Sequence, residues 1–188
     1  MVKSPSSKTR IVITGASGVG KTTLVEGLAP LLCLSVIPEL ARQLCADLGY
    51  EKIGAIPDQN GFKKQVLEKQ IEEEDRLGNF ISDRSTIDCW VLWQRWNICS
   101  AMTYDTEEYY RQARAQAVTA YTHVIYVPPM FPCVDDGFRW TDSDYQKQID
   151  RNVRMTLYEW NLFERTLTVS AQDNESRVGE VMTWLEKH

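Results

Sequence analysis

Between residues 15 and 22 the chain reads Gly-Ala-Ser-Gly-Val-Gly-Lys-Thr, directly after the apolar run Arg10-Ile-Val-Ile-Thr14. This stretch limits what the chain can fold into more than any other. It satisfies G-x-x-x-x-G-K-[ST] in full, and the pattern works mechanically only between a buried strand and a helix. Gly15, Gly18 and Gly20 free the backbone for positive φ, so that its N–H groups turn inward around an anion. The helix that follows offers its positive end to the same anion. Gly15, Ala16, Ser17, Gly18, Val19, Gly20, Lys21, Thr22 and Thr23 are therefore expected to cradle ATP. Lys21 would meet the β- and γ-phosphates, and the Thr22 hydroxyl would meet Mg²⁺.

Apolar runs and helical periodicity alternate along the rest of the chain. Strands are expected at 11–14, 33–37, 80–82, 123–127 and 167–170. Helices are expected at 21–32, 38–48, 62–77, 86–98 and 105–120, from 143 onward, and along the stripe Val178, Val181, Met182 and Leu185. Pro38 would open the second helix, with Leu40, Leu44 and Leu48 as its apolar stripe. Gly49 and Gly78 would close the second and third helices. Ser143-x-x-Gln146 would form a capping box. The run Glu72-Glu-Glu-Asp75 reads as a solvated helix face. The pattern as a whole predicts an α/β fold with a doubly wound, five-stranded parallel sheet. Residues 1–9 read as a flexible tail and 10–188 as one domain. Within it, the long connection at about 128–154 would form a small helical lid.

Composition narrows the classes of function. No apolar run approaches the ~20 residues of a membrane span. Five cysteines, odd in number and without a C-x-x-C pair, imply a reducing, cytoplasmic setting. Cys33, Cys45 and Cys89 read as small buried hydrophobes. Two histidines leave little room for histidine-based catalysis. A net charge of −5 argues against a large nucleic-acid interface, because phosphate neutralisation dominates such affinity.

In open α/β sheets ligands sit beyond the carboxyl ends of the strands, so the residues there are the ones to inspect. Glu39 and Arg42 follow the second strand at i, i+3 and can face one ligand. Glu39 there suits a general base toward an attacking hydroxyl, or else a helix-start residue paired with Arg42. Asp83 ends the third strand, where an acidic residue holds Mg²⁺ directly or through water, or caps the next helix. Arg84 could pin substrate or a phosphoryl oxygen through its planar fork. Arg139, with Arg151 and Arg154, would bring positive charge from the lid, or lie on a solvated surface. Residues 170–174 should border the adenine. Trp90, Trp93 and Trp96 are core aromatics or a stacking platform, and Trp90 is the best placed to stack substrate.

The elements T-G-A-S-G-V-G-K-T-T-L, V-I-P-E-L-A-R, S-D-R-S-x-x-D-C-W and V-D-D-G-F-R resemble the nicotinamide-riboside-kinase-like P-loop family over nearly the whole chain. The P-E-x-x-R and D-R-S elements also resemble deoxynucleoside kinases. The resemblance implies an ATP- and Mg²⁺-dependent kinase acting on a hydroxyl of a nucleoside-like acceptor. It makes Glu39, Asp83, Arg84 and Lys21 catalytic candidates and Arg139 a lid residue. Two alternatives stay open. One is a kinase acting on a hydroxymethylated base in DNA, for which Lys63, Lys64, Arg111 and Arg114 would form the backbone track. The other is an ATPase switch with no acceptor. Homodimer formation is also open.

Overall fold

A computed structural model describes residues 8–99, 103–131 and 143–188. Five strands form one parallel sheet in the order β2-β3-β1-β4-β5. They are β1 (Arg10–Thr14), β2 (Ser35–Ile37), β3 (Phe80–Asp83), β4 (His123–Tyr126) and β5 (Thr166–Thr168). Central β1 is covered on both faces, which is why Ile11, Val12 and Ile13 are all apolar without alternation and fully buried. Its register against β3 sets Ile13 opposite Asp83, and against β4 it sets Thr14 opposite Tyr126. The sheet thus brings the phosphate loop and the end of β3 to one edge.

Seven α-helices flank the sheet among the described residues: α1 (Lys21–Leu32), α2 (Leu40–Asp47), α3 (Gln59–Leu77), α4 (Thr86–Trp96), α5 (Tyr104–Ala120), α6 (Ser143–Glu159) and α7 (Asn174–Leu185). Ser85 caps α4 and Asp173 caps α7, each accepting a backbone N–H with its side chain. Gly27 lies inside α1 despite the conformational cost. A Cβ there would stand 2.8 Å from Val178 Cγ2, so the close packing of α1 on α7 requires glycine.

Several local expectations need correction. Cys33 is exposed and left-handed at the end of α1, where it stops the helix instead of starting β2. Cys45 and Cys89 are buried as expected. Pro38 and Glu39 precede α2, with Glu39 at its N-cap, and Leu48 lies past the helix and exposed. The third helix opens three residues early because the Asp58 side chain accepts from Gly61 N. Glu74 is 0% exposed and so is not part of a solvated face. Ser143 and Gln146 form no capping box, because Ser143 is already helical and Gln146 Nε2 donates to Ser17 O at 3.0 Å.

Candidate active site

The phosphate loop has the backbone its glycines predict, with φ of +148° at Gly15, +75° at Gly18 and +91° at Gly20. A Cβ on Gly15 would lie 2.4 Å from Val127 O, so only glycine lets the loop pass the end of β4. Lys21 is buried, and its Nζ donates to Gly15 O at 2.9 Å and Ala16 O at 2.6 Å. Burial, reinforced by the Arg84 charge, pushes this ammonium down to about 7. A cation so poorly solvated gains much from a polyphosphate. Thr22 Oγ1 donates to Asp83 Oδ2 at 2.5 Å, which brings together two hard oxygen donors suited to a divalent cation.

Arg84 organises the neighbouring carboxylates. Its backbone holds φ +85°, a strained conformation for a side-chain-bearing residue, and its N–H donates to Ile13 O. Its Nε donates to Glu39 Oε1 at 2.7 Å, Nη1 to Asp88 Oδ1 at 3.4 Å and Nη2 to Ser17 Oγ at 3.5 Å. Burial pulls the guanidinium's pKa down, but the Glu39, Asp88 and Asp83 carboxylates outweigh it and raise it above its ordinary value. Arg42 Nε lies 3.7 Å from the other Glu39 oxygen. The structure therefore brings Glu39, Arg42, Asp83, Arg84 and the phosphate loop together. Arg139 lies outside the described residues.

A cavity of about 320 Å³ opens beside Glu39, Ser17, Arg84 and Asp88. That volume is at the lower end of the ~300–1,000 Å³ usual for small-molecule sites. Gln59, Phe62, Lys63, Val66 and Gln70 line it from α3 at helical spacing. Asp88, Cys89, Leu92, Arg95 and Trp96 line it from α4, and Leu40, Ala41, Ile53, Gly54, Tyr109 and Tyr145 complete it. The tryptophan expectation is reversed. Trp90 faces the core edge-to-face with Tyr110, and Trp93 stacks on Tyr109. Trp96 is the one that lines the cavity, at 51% exposure.

Two site residues escape a reading by motif, and a third, Asp88, lies within S-D-R-S-x-x-D-C-W without being singled out by it. Asp88 is a lone carboxylate in an apolar helix, and its Oδ1 accepts from Gly15 N at 3.4 Å. That isolation was the available signal. Arg177 of α7 is 3% exposed; its Nη1 donates to Val19 O at 2.8 Å and its Nε to Ala171 O at 2.9 Å. It ties the loop after β5 to the phosphate loop. Gln70 spans the cavity floor, donating to Ser82 Oγ and to Glu74.

A family model described as an AAA domain matches residues 10–177, and the chain belongs to that family. The fold is that of P-loop kinases. NadR protein in complex with NR superposes with a TM-score of 0.76 at 17% identity, over 96% of this chain and 51% of that one. The chain thus spans about half of NadR. Deoxyadenosine kinase from M. mycoides with bound dATP gives 0.58 at 16% identity, over 95% and 100% of the two chains. Shikimate kinase from Acinetobacter baumannii with shikimate gives 0.52 at 13% identity, over 96% and 94%. Curated proteins give no match. No helix among the described residues is long and apolar enough to cross a membrane.

Proposed function

We propose that the protein is an ATP- and Mg²⁺-dependent phosphotransferase acting on a hydroxyl of a nucleoside-like acceptor. The observation that carries this reading is the placement of Glu39. Its carboxylate stands between the phosphate loop and a preformed, aromatic-lined cavity, held by Arg84 at 2.7 Å. The structural relatives fit the reading, since NadR is described with NR and deoxyadenosine kinase with dATP. In the proposed reaction Glu39 accepts the acceptor's hydroxyl proton as its oxygen bonds to the γ-phosphorus. The bond from that phosphorus to the bridging oxygen breaks, and ADP leaves. Lys21 would turn from the Gly15 and Ala16 carbonyls to the phosphates. Arg84 positions Glu39. Thr22 and Asp83 would hold Mg²⁺, which would neutralise phosphate oxygens. Among the described residues no group of three His, Cys, Asp or Glu side chains forms a cage, so phosphate and water would complete its shell.

The rival readings have less support. Of the basic residues proposed to track DNA, Lys64 pairs with Asp105 and Arg111 with Glu108, while Lys63 turns inward over Trp96. An ATPase switch gives no role to the cavity beside Glu39. The test is transfer from γ-labelled ATP to a panel of nucleosides, nucleotides and modified oligonucleotides. The expected result is a labelled product from one acceptor class and ATP turnover that depends on it. Acceptor-independent hydrolysis with no labelled product would overturn the proposal.

A further inference from the structure

The cavity has two chemically different ends. α3 and α4 run antiparallel along it, with Gln70 bonding Ser82 at the phosphate end and Lys63 meeting Trp96 at the other. Asp88 and Arg95 are seven residues apart on α4, so they share a face and lie about 10 Å apart along the axis. At the phosphate end every cation is matched: Arg84 by Glu39 and Asp88, Lys21 by two backbone carbonyls. At the far end they are not. Among the described residues, Lys63 Nζ bonds only the Gln59 amide oxygen, at 2.9 Å, and lies 4.5 Å from the Trp96 ring centre. The Arg95 guanidinium sits 5.5 Å from the Tyr145 ring centre, and its buried Nε has no hydrogen-bond acceptor among the described residues. Among the described residues neither has a carboxylate partner.

We infer that the acceptor carries an anionic group, a carboxylate or phosphate monoester, remote from the hydroxyl that is phosphorylated, and that Lys63 and Arg95 bind it. This rests on the phosphotransferase reading for the identity of the ligand as acceptor. Leaving two partly buried cations in one cavity without an anion is costly, and a ligand anion removes that cost. Burial already pushes the Lys63 ammonium down to about 8, as expected where no counter-charge offsets desolvation. Both cations lie against aromatic rings, which fixes them while leaving N–H groups for a ligand. A planar ring between these aromatics would carry the anion toward them.

The test compares binding of two matched pairs to the full chain with Mg²⁺ and a non-hydrolysable ATP analogue. The first pair is 5-carboxyuridine and uridine, with the anion on the base. The second is 5-hydroxymethyl-2′-deoxyuridine 5′-monophosphate and its parent nucleoside, with the anion on the sugar. The anionic member of one pair should bind at least about tenfold tighter, and that pair identifies the source of the charge. The ratio should approach one in the double variant Lys63→Gln, Arg95→Gln and be partly kept in Arg95→Lys. Equal binding within both pairs, including no binding by any member, overturns the inference, as does a ratio that survives in a folded double variant. The wild-type comparison decides by itself if that variant does not fold. Labelled-ATP transfer run in parallel separates the two levels. An anion preference without transfer to any probe counts against the phosphotransferase reading alone, whereas transfer only to neutral members keeps that reading and removes this one.

Discussion

The two ends of the cavity differ in how completely their polar groups are satisfied. At the phosphate end, Lys21, Thr22, Asp83, Arg84 and Asp88 form a closed set of hydrogen bonds and ion pairs. At the α3/α4 end, Lys63 and Arg95 lie on aromatic rings without acidic partners among the described residues. Such a set is largely preorganised: Thr22 with Asp83 and Arg84 with Asp88 are held in pairs, and only Lys21 would turn toward a phosphoryl group. An incomplete set is completed by whatever binds there. The comparison assigns chemistry to one end and selectivity to the other, and substitutions at the two ends should behave differently.

The largest effect is expected from Lys21→Ala. Loss of the loop's charged donor should lower kcat/KM on the order of 10³-fold. Activity within tenfold of wild type would show that the closed end is not the phosphoryl site. Glu39→Gln should follow, lowering kcat by ~10²-fold, the lower end of the usual range because a loose transition state needs less proton removal. ATP affinity, read by calorimetry, should barely change. Full activity would make Glu39 only the α2 N-cap, with Asp88 or Asp83 the next base to test. Asp83→Asn should raise the Mg²⁺ concentration for half-maximal rate about tenfold, as a charged contact is replaced by a neutral one. An unaltered Mg²⁺ titration removes Asp83 from the metal's shell.

Beneath the cavity, a fourth prediction concerns stability. Glu74 is buried with Gln70, Gln116 and Tyr121 donating to its carboxylate and, among the described residues, no basic group at hydrogen-bond distance. Burial pushes its carboxyl up to about 7 despite those donors. The folded state therefore binds this proton more tightly than the unfolded state. The favourable contribution is complete below about pH 4.5 and is lost as pH rises through about 7, on the order of 3 kcal/mol in all. Urea unfolding from pH 4.5 to 8 should show this decline in wild type and not in Glu74→Gln. Parallel curves for the two proteins would place the proton elsewhere.

What the sequence revealed depended on how far apart the relevant residues lie. The phosphate loop is contiguous, and its strand-loop-helix context fixes its shape, so its residues were readable at once. Glu39, Asp83 and Arg84 were readable because each follows a strand and the ligand edge of a parallel sheet is a general rule. The Lys63–Arg95 end was not, since it exists only once two helices pack antiparallel. Glu74 was misread for a geometric reason. Four consecutive helical positions span about 300°, so one of Glu72-Glu-Glu-Asp75 had to face the sheet, and polarity alone does not say which. Trp90 and Trp96 show the same limit, being almost two turns apart yet rotated to opposite destinies.

Arg177 has a consequence for how the molecule comes into being. It joins Val19 across 158 positions of sequence, from a helix near the end of the chain. Chains emerge from the ribosome N-terminus first and domains gain structure as they emerge. The phosphate loop is therefore made well before the arginine that supports it. A nascent chain halted before residue 177 would hold the whole glycine-rich motif and still lack this clamp, so the full support of the loop waits for α7.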